Sequence, residues 1–391
     1  GKFERGQHRG GGKLSNSQER DRVRALQLMS EAMPKVLDED KKTIAAFYED
    51  LANQLFYYRG YYESWRLQYK TDLAVLPDYE EGFPYNRGGK GAPVDEKGQP
   101  VYYQPASDWE NALNDGERWR FCLEQIETND PSKRNQVRQM RARFARNQFG
   151  VTTMQNGGFW PAMVRHSEEN ANKKDESGVY AIHTLNGKES IARLASGIRR
   201  FELPADYNFI KIYEDIVESP ATGYAEDALT QLAQIHEDRR QYPRAAQYWE
   251  QNIENYGPGR NAWKQQRLDQ ITKNWGRFEG SATQPAGQAA VLDYRFRNGN
   301  SISFTAEEID MRTLVQDAID HINSKPKRVD GNQINISNIG YRLINGNGDK
   351  YVGRVAARWD RQVKPRPNHY DDRVSIETPL KKAGVYLVTA R

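Results

Sequence analysis

The chain has 391 residues, 37% of them hydrophobic and 28% charged, with a formal net charge of +4 and a mean hydropathy of -0.92. That length allows two or three domains, each with its own core, and an aromatic share of 11%, with 22 Tyr and 8 Trp, argues against disorder throughout. So mild a charge excess singles out no partner, the lone cysteine, Cys122, excludes an intrachain disulfide, and no apolar run is long enough to span a bilayer.

Both ends read as cut from a longer protein: the chain starts Gly1-Lys2-Phe3 and stops at Arg391, just after the apolar run Val385–Ala390. Residues 1–20 are Gly-rich and basic, which predicts a flexible tail. A first helix follows, with Val23, Leu26, Met29 and Met33 on one face, and a second carries Ile44, Phe47, Tyr48, Leu51, Leu55 and Phe56. A third apolar stretch runs from Tyr62 to Leu73. Short Gly-containing connections make such helices antiparallel hairpins. Periodicity then fails over 77–107, where Gly and Pro predict a long loop.

Two further helices are predicted, Asp115–Glu127 and Pro131–Gln148, the second opened by Asp130-Pro131-Ser132. A Gly/Asn-rich loop leads to about Gly187, and Glu189–Arg200 reads as a short helix. The segment 206–278 is the most regular. Tyr213, Ile216 and Val217 close one helix. Ala225, Ala228, Leu229, Leu232, Ala233 and His236 line the next, and Ala245, Ala246, Trp249 and Ile253 the one after, with Gly257-Pro258 as a stop. Small residues where paired helices meet, a Tyr after the turn and a Pro after the second helix make this stretch similar to a tetratricopeptide repeat. The usual turn Gly is replaced near Arg240, which predicts a looser turn. Trp263, Leu268, Ile271 and Trp275 mark one more helix.

Gly280–Gly287 reads as a linker, so the domain plan is an N-terminal helical region (21–150), repeat-like helices (151–279), a linker (280–288) and a β module (289–391). In that module the period changes to two. Leu292, Tyr294 and Phe296 alternate with polar residues, Asn298-Gly299 signals a hairpin, and Ile302 and Phe304 continue on the return strand. One helix (Met311 to Ile322) interrupts, and strands are predicted at 334–343, 351–364, 373–377 and 384–390. Several short strands over about a hundred residues suggest a β-sandwich, whose last strand would leave an edge exposed. The fold class expected is therefore multidomain α plus β: a helical-hairpin, tetratricopeptide-like region followed by an immunoglobulin- or fibronectin-like sandwich.

Several long strings carry a resemblance. They are Tyr207-Asn208-Phe209-Ile210-Lys211-Ile212-Tyr213, Gln231-Leu232-Ala233-Gln234-Ile235, Arg239-Arg240-Gln241-Tyr242-Pro243, and 263–271 from Trp263 to Ile271. Asn274-Trp275-Gly276-Arg277-Phe278-Glu279, Tyr294–Gly299 and Thr378–Leu387 belong with them. Together they resemble the N-terminal region of large bacterial alpha-2-macroglobulin-like proteins, over most of the chain from about Arg22. The resemblance implies that 289–391 is a first macroglobulin domain. It also implies that the whole protein is an endopeptidase inhibitor that traps proteases, in the periplasm or at the cell surface, and is not an enzyme.

Cys122-Leu123-Glu124-Gln125 has the Cys-x-Glu-Gln spacing that in this family forms an internal thioester between Cys122 and Gln125 positions. The family's thioester lies far downstream, after many sandwich domains, so the expectation here is a buried thiol on an apolar stripe. The helix carrying Lys133, Arg134, Arg138, Arg141, Arg143 and Arg146 is basic, but Val137, Met140 and Phe144 give it an apolar stripe, so a solvated helix back is expected and no nucleic acid. His8, His166, His183, His236, His321 and His369 show no metal-ligand spacing, and His236 falls on a packing stripe. Glu80-Glu81 and Glu168-Glu169 point apart, and Gly88-Gly89-Lys90-Gly91 lacks a strand–helix frame. No catalytic residue, metal or cofactor is expected. Target proteases are the partners implied by the resemblance. The alternatives are a protein-binding module whose helices offer a groove, with the sandwich as spacer, and a carbohydrate-binding sandwich.

Overall fold

The structure, a computed structural model, describes residues 15–57, 59, 63–82, 91–154, 180–219, 223–280, 283–328, 343 and 349–391. It is mixed α plus β and divides into two compact units, Gly1–Gln265 and Gln266–Arg391.

In the first unit, β1 (Ser15–Asn16) pairs antiparallel with β2 (Glu80–Glu81). The expected tail thus ends earlier than residue 20, because Asn16 donates from Nδ2 to the carbonyls of Glu80 and Gly82. Helix α1 (Gln18–Val36) and helix α2 (Lys41–Phe56) follow. Asp40 starts α2 by accepting from the N–H groups of Lys42 and Thr43 at 2.9 and 3.2 Å, an N-cap that satisfies two orphan donors. The apolar stretch after Tyr62 forms only a short 3-10 turn at Ser64–Gln68. The loop predicted over 77–107 is largely irregular where described, apart from β2 and isolated bridges from Ala92 to Leu194 and from Val94 to Pro100.

Helix α3 (Asp115–Asn129) starts at Asn114, which accepts from the N–H of Glu117 at 2.8 Å while Glu117 accepts from the N–H of Leu113. The two bonds satisfy backbone donors at the start of the helix. Helix α4 (Arg134–Phe149) follows a 3-10 turn at Pro131–Lys133. Proline at the first turn costs no hydrogen bond, since that N–H would be unpaired anyway.

Glu189–Arg200 is not the predicted helix. Strands β3 (Glu189–Leu194) and β4 (Gly197–Glu202) form an antiparallel hairpin there. Ser190, Ile191 and Ala192 are all buried, so β3 is covered on both faces. Gly197, at φ 120°, turns the chain between the strands. A Cβ at Gly91 would lie 2.5 Å from the Leu194 carbonyl carbon. Glycine there lets the 91–94 segment press against β3, where Ala92 donates to the Arg193 carbonyl at 3.0 Å.

Helices α5 (Phe209–Val217), α6 (Ala225–Asp238) and α7 (Tyr242–Tyr256) come next. Neighbours in sequence pack on one another: α1 on α2, α2 on α3, α4 on α5, α5 on α6, and α6 on α7. The α6–α7 turn is not loose. Arg240 itself adopts φ 57°, and its N–H donates to the Glu237 carbonyl at 2.8 Å. A non-glycine residue in the left-handed region is costly, and the side-chain hydrogen bonds of His236, Arg239 and Gln241 around this turn hold it there. The core runs through α1–α6 and takes in Leu26, Leu51, Leu55, Leu123, Phe149, Tyr213 and Leu232, all nearly inaccessible.

The unit boundary falls inside helix α8 (Trp263–Thr272), before the expected linker at 280–288. The reason is local to the second unit. Trp275, predicted to be helical, opens β5 (Trp275–Phe278), which pairs with β6 (Val291–Arg297), and β6 pairs with β9 (Asp372–Glu377). A second sheet joins β7 (Ser301–Ile309) to β8 (Val352–Gln362) and β10 (Tyr386–Ala390). All these pairs are antiparallel.

Asn298-Gly299 is therefore not a hairpin turn: β6 and β7 lie in different sheets. Asn298, at φ 62°, donates from Nδ2 to the carbonyls of Ile271 and Lys273, which pins the corner where the chain changes sheet. Tyr294, Phe296, Ile376, Ile302 and Phe304 then share one core, so both sheets contribute to it. Phe304 stacks on Trp359 at 5.2 Å. Helix α9 (Met311–Asn323) is capped by Asp310 and packs Leu314 against Tyr351. The strand predicted at 334–343 lies outside the described residues, except Leu343.

Candidate functional site

Three polar constellations sit inside the helical unit. The first surrounds Asp115, at the start of α3 and fully buried. Arg59 donates to it at 2.8 Å, Arg118 lies 3.5 Å away and Arg22 3.8 Å. The Thr71 N–H and hydroxyl donate to the same carboxylate. Glu19 extends the network to Arg22 and Arg59, and Arg66 joins Glu63 and Glu80 to it. Burial pushes the Glu19 carboxyl up, but the hydrogen bond from Arg22 and the charges of Arg59, Arg22 and Arg66 hold it below its usual range. The network ties α1, the 59–71 segment and α3 together. It contains four arginines and four carboxylates, so it is self-neutralising and acts as a structural clasp.

The second constellation lies at the α6–α7 turn. Gln241 donates from Nε2 to the carbonyls of His183 and Leu185 at 3.1 and 2.6 Å. Its Oε1 must then accept, and it does so from His236 Nδ1 at 2.7 Å. The neutral tautomer of His236 is therefore Nδ1–H, and Nε2 is buried without a hydrogen-bond partner. Burial, followed by the charges of Arg239 and Arg244 and opposed by the Gln241 bond, brings its pKa down to about 4. Arg239 donates to the carbonyls of Asn186 and Glu189 at 3.0 and 2.8 Å. The turn thus clamps the 183–189 loop through side chains. A small cavity borders this region, lined by Arg146, Gly150, Phe209, Ile235, Asp238 and Arg239 among others.

The third lies where α3 meets α4, around Arg120 and Arg141. Arg120 is buried over the Tyr207 ring at 4.3 Å and donates to the Asp206 carbonyl at 3.3 Å.

The residues singled out in the sequence are dispersed. Cys122 is fully inaccessible on α3, among the core residues, and burial pushes its thiol up, out of the thiolate range. Gln125 is half-buried one turn further on the same helix. On α4, Lys133 pairs with Glu49, Arg134 with Glu127, and Arg146 with Asp238, while Arg138 donates to the Asp215 carbonyl. Arg134 and Arg143 are exposed and the other four half-buried, so the basic stripe is spent largely on neighbouring elements. Glu80 and Glu81 form β2, with Glu80 engaged by Arg66. His369 contacts Asn298 at 2.9 Å in the β unit. His8, His166, Glu168, Glu169 and 88–90 lie outside the described residues.

Among the described residues, no group of three or more His, Cys, Asp and Glu side chains is placed to hold a metal ion, and no helix is long and apolar enough to cross a membrane. Sequence reasoning missed Asp115, Gln241, Arg120 and the Arg141 environment. The signals available were slight: Asp115 follows an Asn cap, and Gln241 follows a helix stop.

The described residues thus define an α plus β protein in which hairpin-linked helices precede a two-sheet β unit. Comparison with known family models, curated proteins and solved structures returns no match to this chain.

Proposed function

We propose that this chain is a scaffold and not a catalyst: the N-terminal part of an alpha-2-macroglobulin-like, protease-trapping endopeptidase inhibitor of the periplasm or cell surface. The observation that carries the reading is the joining of two parts in one chain, hairpin-linked helices and then two three-stranded antiparallel sheets around a shared aromatic core. That order agrees with what the long strings imply, an interaction region ahead of a first macroglobulin domain with a fibronectin-like sandwich. The helices α6 and α7 support the tetratricopeptide-like part, since Ala228, Ala233, Ala245 and Ala246 are all buried between closely spaced helices. Target proteases are the partners of the whole protein in this reading, and Cys122 is a packing thiol within it.

The test is made on the product of the complete gene. Incubated with a broad-specificity protease, it should be cleaved, compact on a native gel and shield the protease from protein substrates while small peptide substrates are still turned over. Cleavage to fragments with no shielding would sink the trap reading. A second reading, a protein-binding module with the β unit as spacer, draws on the polar clamp at the α6–α7 turn. It predicts that the helical region captures a specific partner without any protease.

A further inference from the structure

The end of the α6–α7 pair away from the Arg239–Gln241 turn holds a polar cluster that neither reading of the helices uses. Lys264, in the first turn of α8, is 1% exposed. Its Nζ donates to Asn252 Oδ1 at 2.8 Å and to Glu226 Oε1 at 2.6 Å. Asn252, on α7, is wholly inaccessible. Its Nδ2 donates to the Glu226 carbonyl at 3.1 Å and to the Thr230 hydroxyl oxygen at 2.9 Å, so the amide is held with Oδ1 toward the lysine. The start of α8 is fixed as well. Trp263 meets the buried Trp249 edge-on at 5.4 Å, and the Lys264 N–H donates to the Pro258 carbonyl at 3.1 Å.

An amine, an amide carbon and a carboxylate thus share one enclosed place. A carbonyl bond is about 1.23 Å long, so Nζ lies at most about 4 Å from Asn252 Cγ, near the roughly 3–3.5 Å at which held groups react. A buried ammonium is costly, and Glu226, whose side chain is 54% exposed, answers it only from the solvent edge. Lysine gives up its proton readily when buried, and the free amine is a nucleophile. Burial of Asn252 keeps water from competing for its carbonyl carbon. Turning the ammonium into a neutral amide removes the buried charge altogether.

We propose that Lys264 and Asn252 are the two halves of an intramolecular isopeptide bond, a covalent cross-link between α7 and α8 that the folded chain forms by itself. Nζ adds to Asn252 Cγ, the bond from Cγ to Nδ2 breaks, and Nδ2 leaves as ammonium. The two protons that Nζ loses reach the departing nitrogen by way of the Glu226 carboxylate, so no oxidant or second reactant is needed. Each molecule reacts once, which suits a scaffold, and the bond does not depend on what that scaffold binds. It closes the chain over 252–264 and spans the Gly257-Pro258-Gly259 connection.

The experiment is intact-mass spectrometry of the full chain, purified folded and then denatured, followed by trypsin digestion. The parent should weigh one ammonia less than its sequence. Lys264 should resist cleavage, and 245–260 should appear joined to 261–267 in one branched peptide. Lys264→Arg keeps the charge beside Glu226 but not the amine, and Asn252→Ala removes the acyl group; both should show the full sequence mass and no branched peptide. Glu226→Ala changes an exposed side chain, so it should stay folded by circular dichroism and lose the cross-link. A parent of full sequence mass would overturn the proposal, as would an ammonia loss that maps to Asn298-Gly299 or another asparagine without the branched peptide. A cross-link that persists in Glu226→Ala would overturn the role given to that carboxylate.

Discussion

His236 offers a direct reading of how the helical unit responds to acid. Its pKa is about 4 in the folded chain against 6.5 for the free side chain. Between those values the unfolded chain binds a proton that the folded chain refuses. Stability is therefore complete above about pH 6.5 and is lost as the pH falls toward 4, below which His236 adds no further loss. At 1.36 kcal/mol per unit the contribution is about 2.5 kcal/mol at about pH 4.5. The perturbation is His236→Phe, which keeps a ring against Tyr248, now stacked at 5.4 Å, and removes the titration. Urea unfolding of parent and variant at about pH 7.5 and about pH 4.5 measures it. The gap between them should move in favour of the variant by about 2.5 kcal/mol on acidification, because the other titrating groups are common to both. A gap that does not change with pH, or an NMR titration of the His236 ring near 6.5, would refute the burial argument.

Asp115→Asn should destabilise the helical unit by about 3–5 kcal/mol, since it leaves Arg22, Arg59 and Arg118 buried around a neutral amide; chemical denaturation of the full chain reads it. Gln148 is 1% exposed with both amide atoms unpartnered among the described residues, so Gln148→Leu should stabilise by about 1–2 kcal/mol, visible as a raised unfolding midpoint. Cys122 should stay unmodified by a thiol reagent in the folded chain and react once unfolded, and methylamine should add no mass. A methylamine adduct at Gln125 would restore the thioester reading.

Much of the helical content was legible because the helices are amphipathic and locally capped. The predicted α2 and α3, and α9 in the second unit, end within a few residues of the observed ones, and the Ala-rich pair α6 and α7 announces itself by spacing alone. The failures share a cause. In Glu189–Arg200 the apolar residues fit a helical period, but burial on both faces, set by α4 and the 91–94 segment, selects a hairpin. Asn298-Gly299 carries the local chemistry of a tight turn, yet the destination of β7 is decided by a distant aromatic core and by carbonyls at Ile271 and Lys273. The Asp115 network joins residues 40 and 56 positions apart, and nothing in either neighbourhood marks the pairing.

The polar interior bears on what kind of protein this is. A unit held only by apolar contacts would tolerate small rotations of its helices, whereas Asp115, Gln241 and Arg239 each fix a specific loop to a specific helix end by directional bonds. In these three places the directional groups face backbone carbonyls and one another. Such clasps set the angle between successive hairpins, and in stacked helical units that angle determines the shape of the exposed surface. On the scaffold reading, substitutions at Gln241 or Arg239 should therefore alter partner binding without touching the partner, through the geometry of the α6–α7 pair. Gln241→Glu, whose ionised side chain cannot donate to the His183 and Leu185 carbonyls, should lower stability; loss of partner binding under conditions where circular dichroism shows the variant still folded would separate this role from simple unfolding.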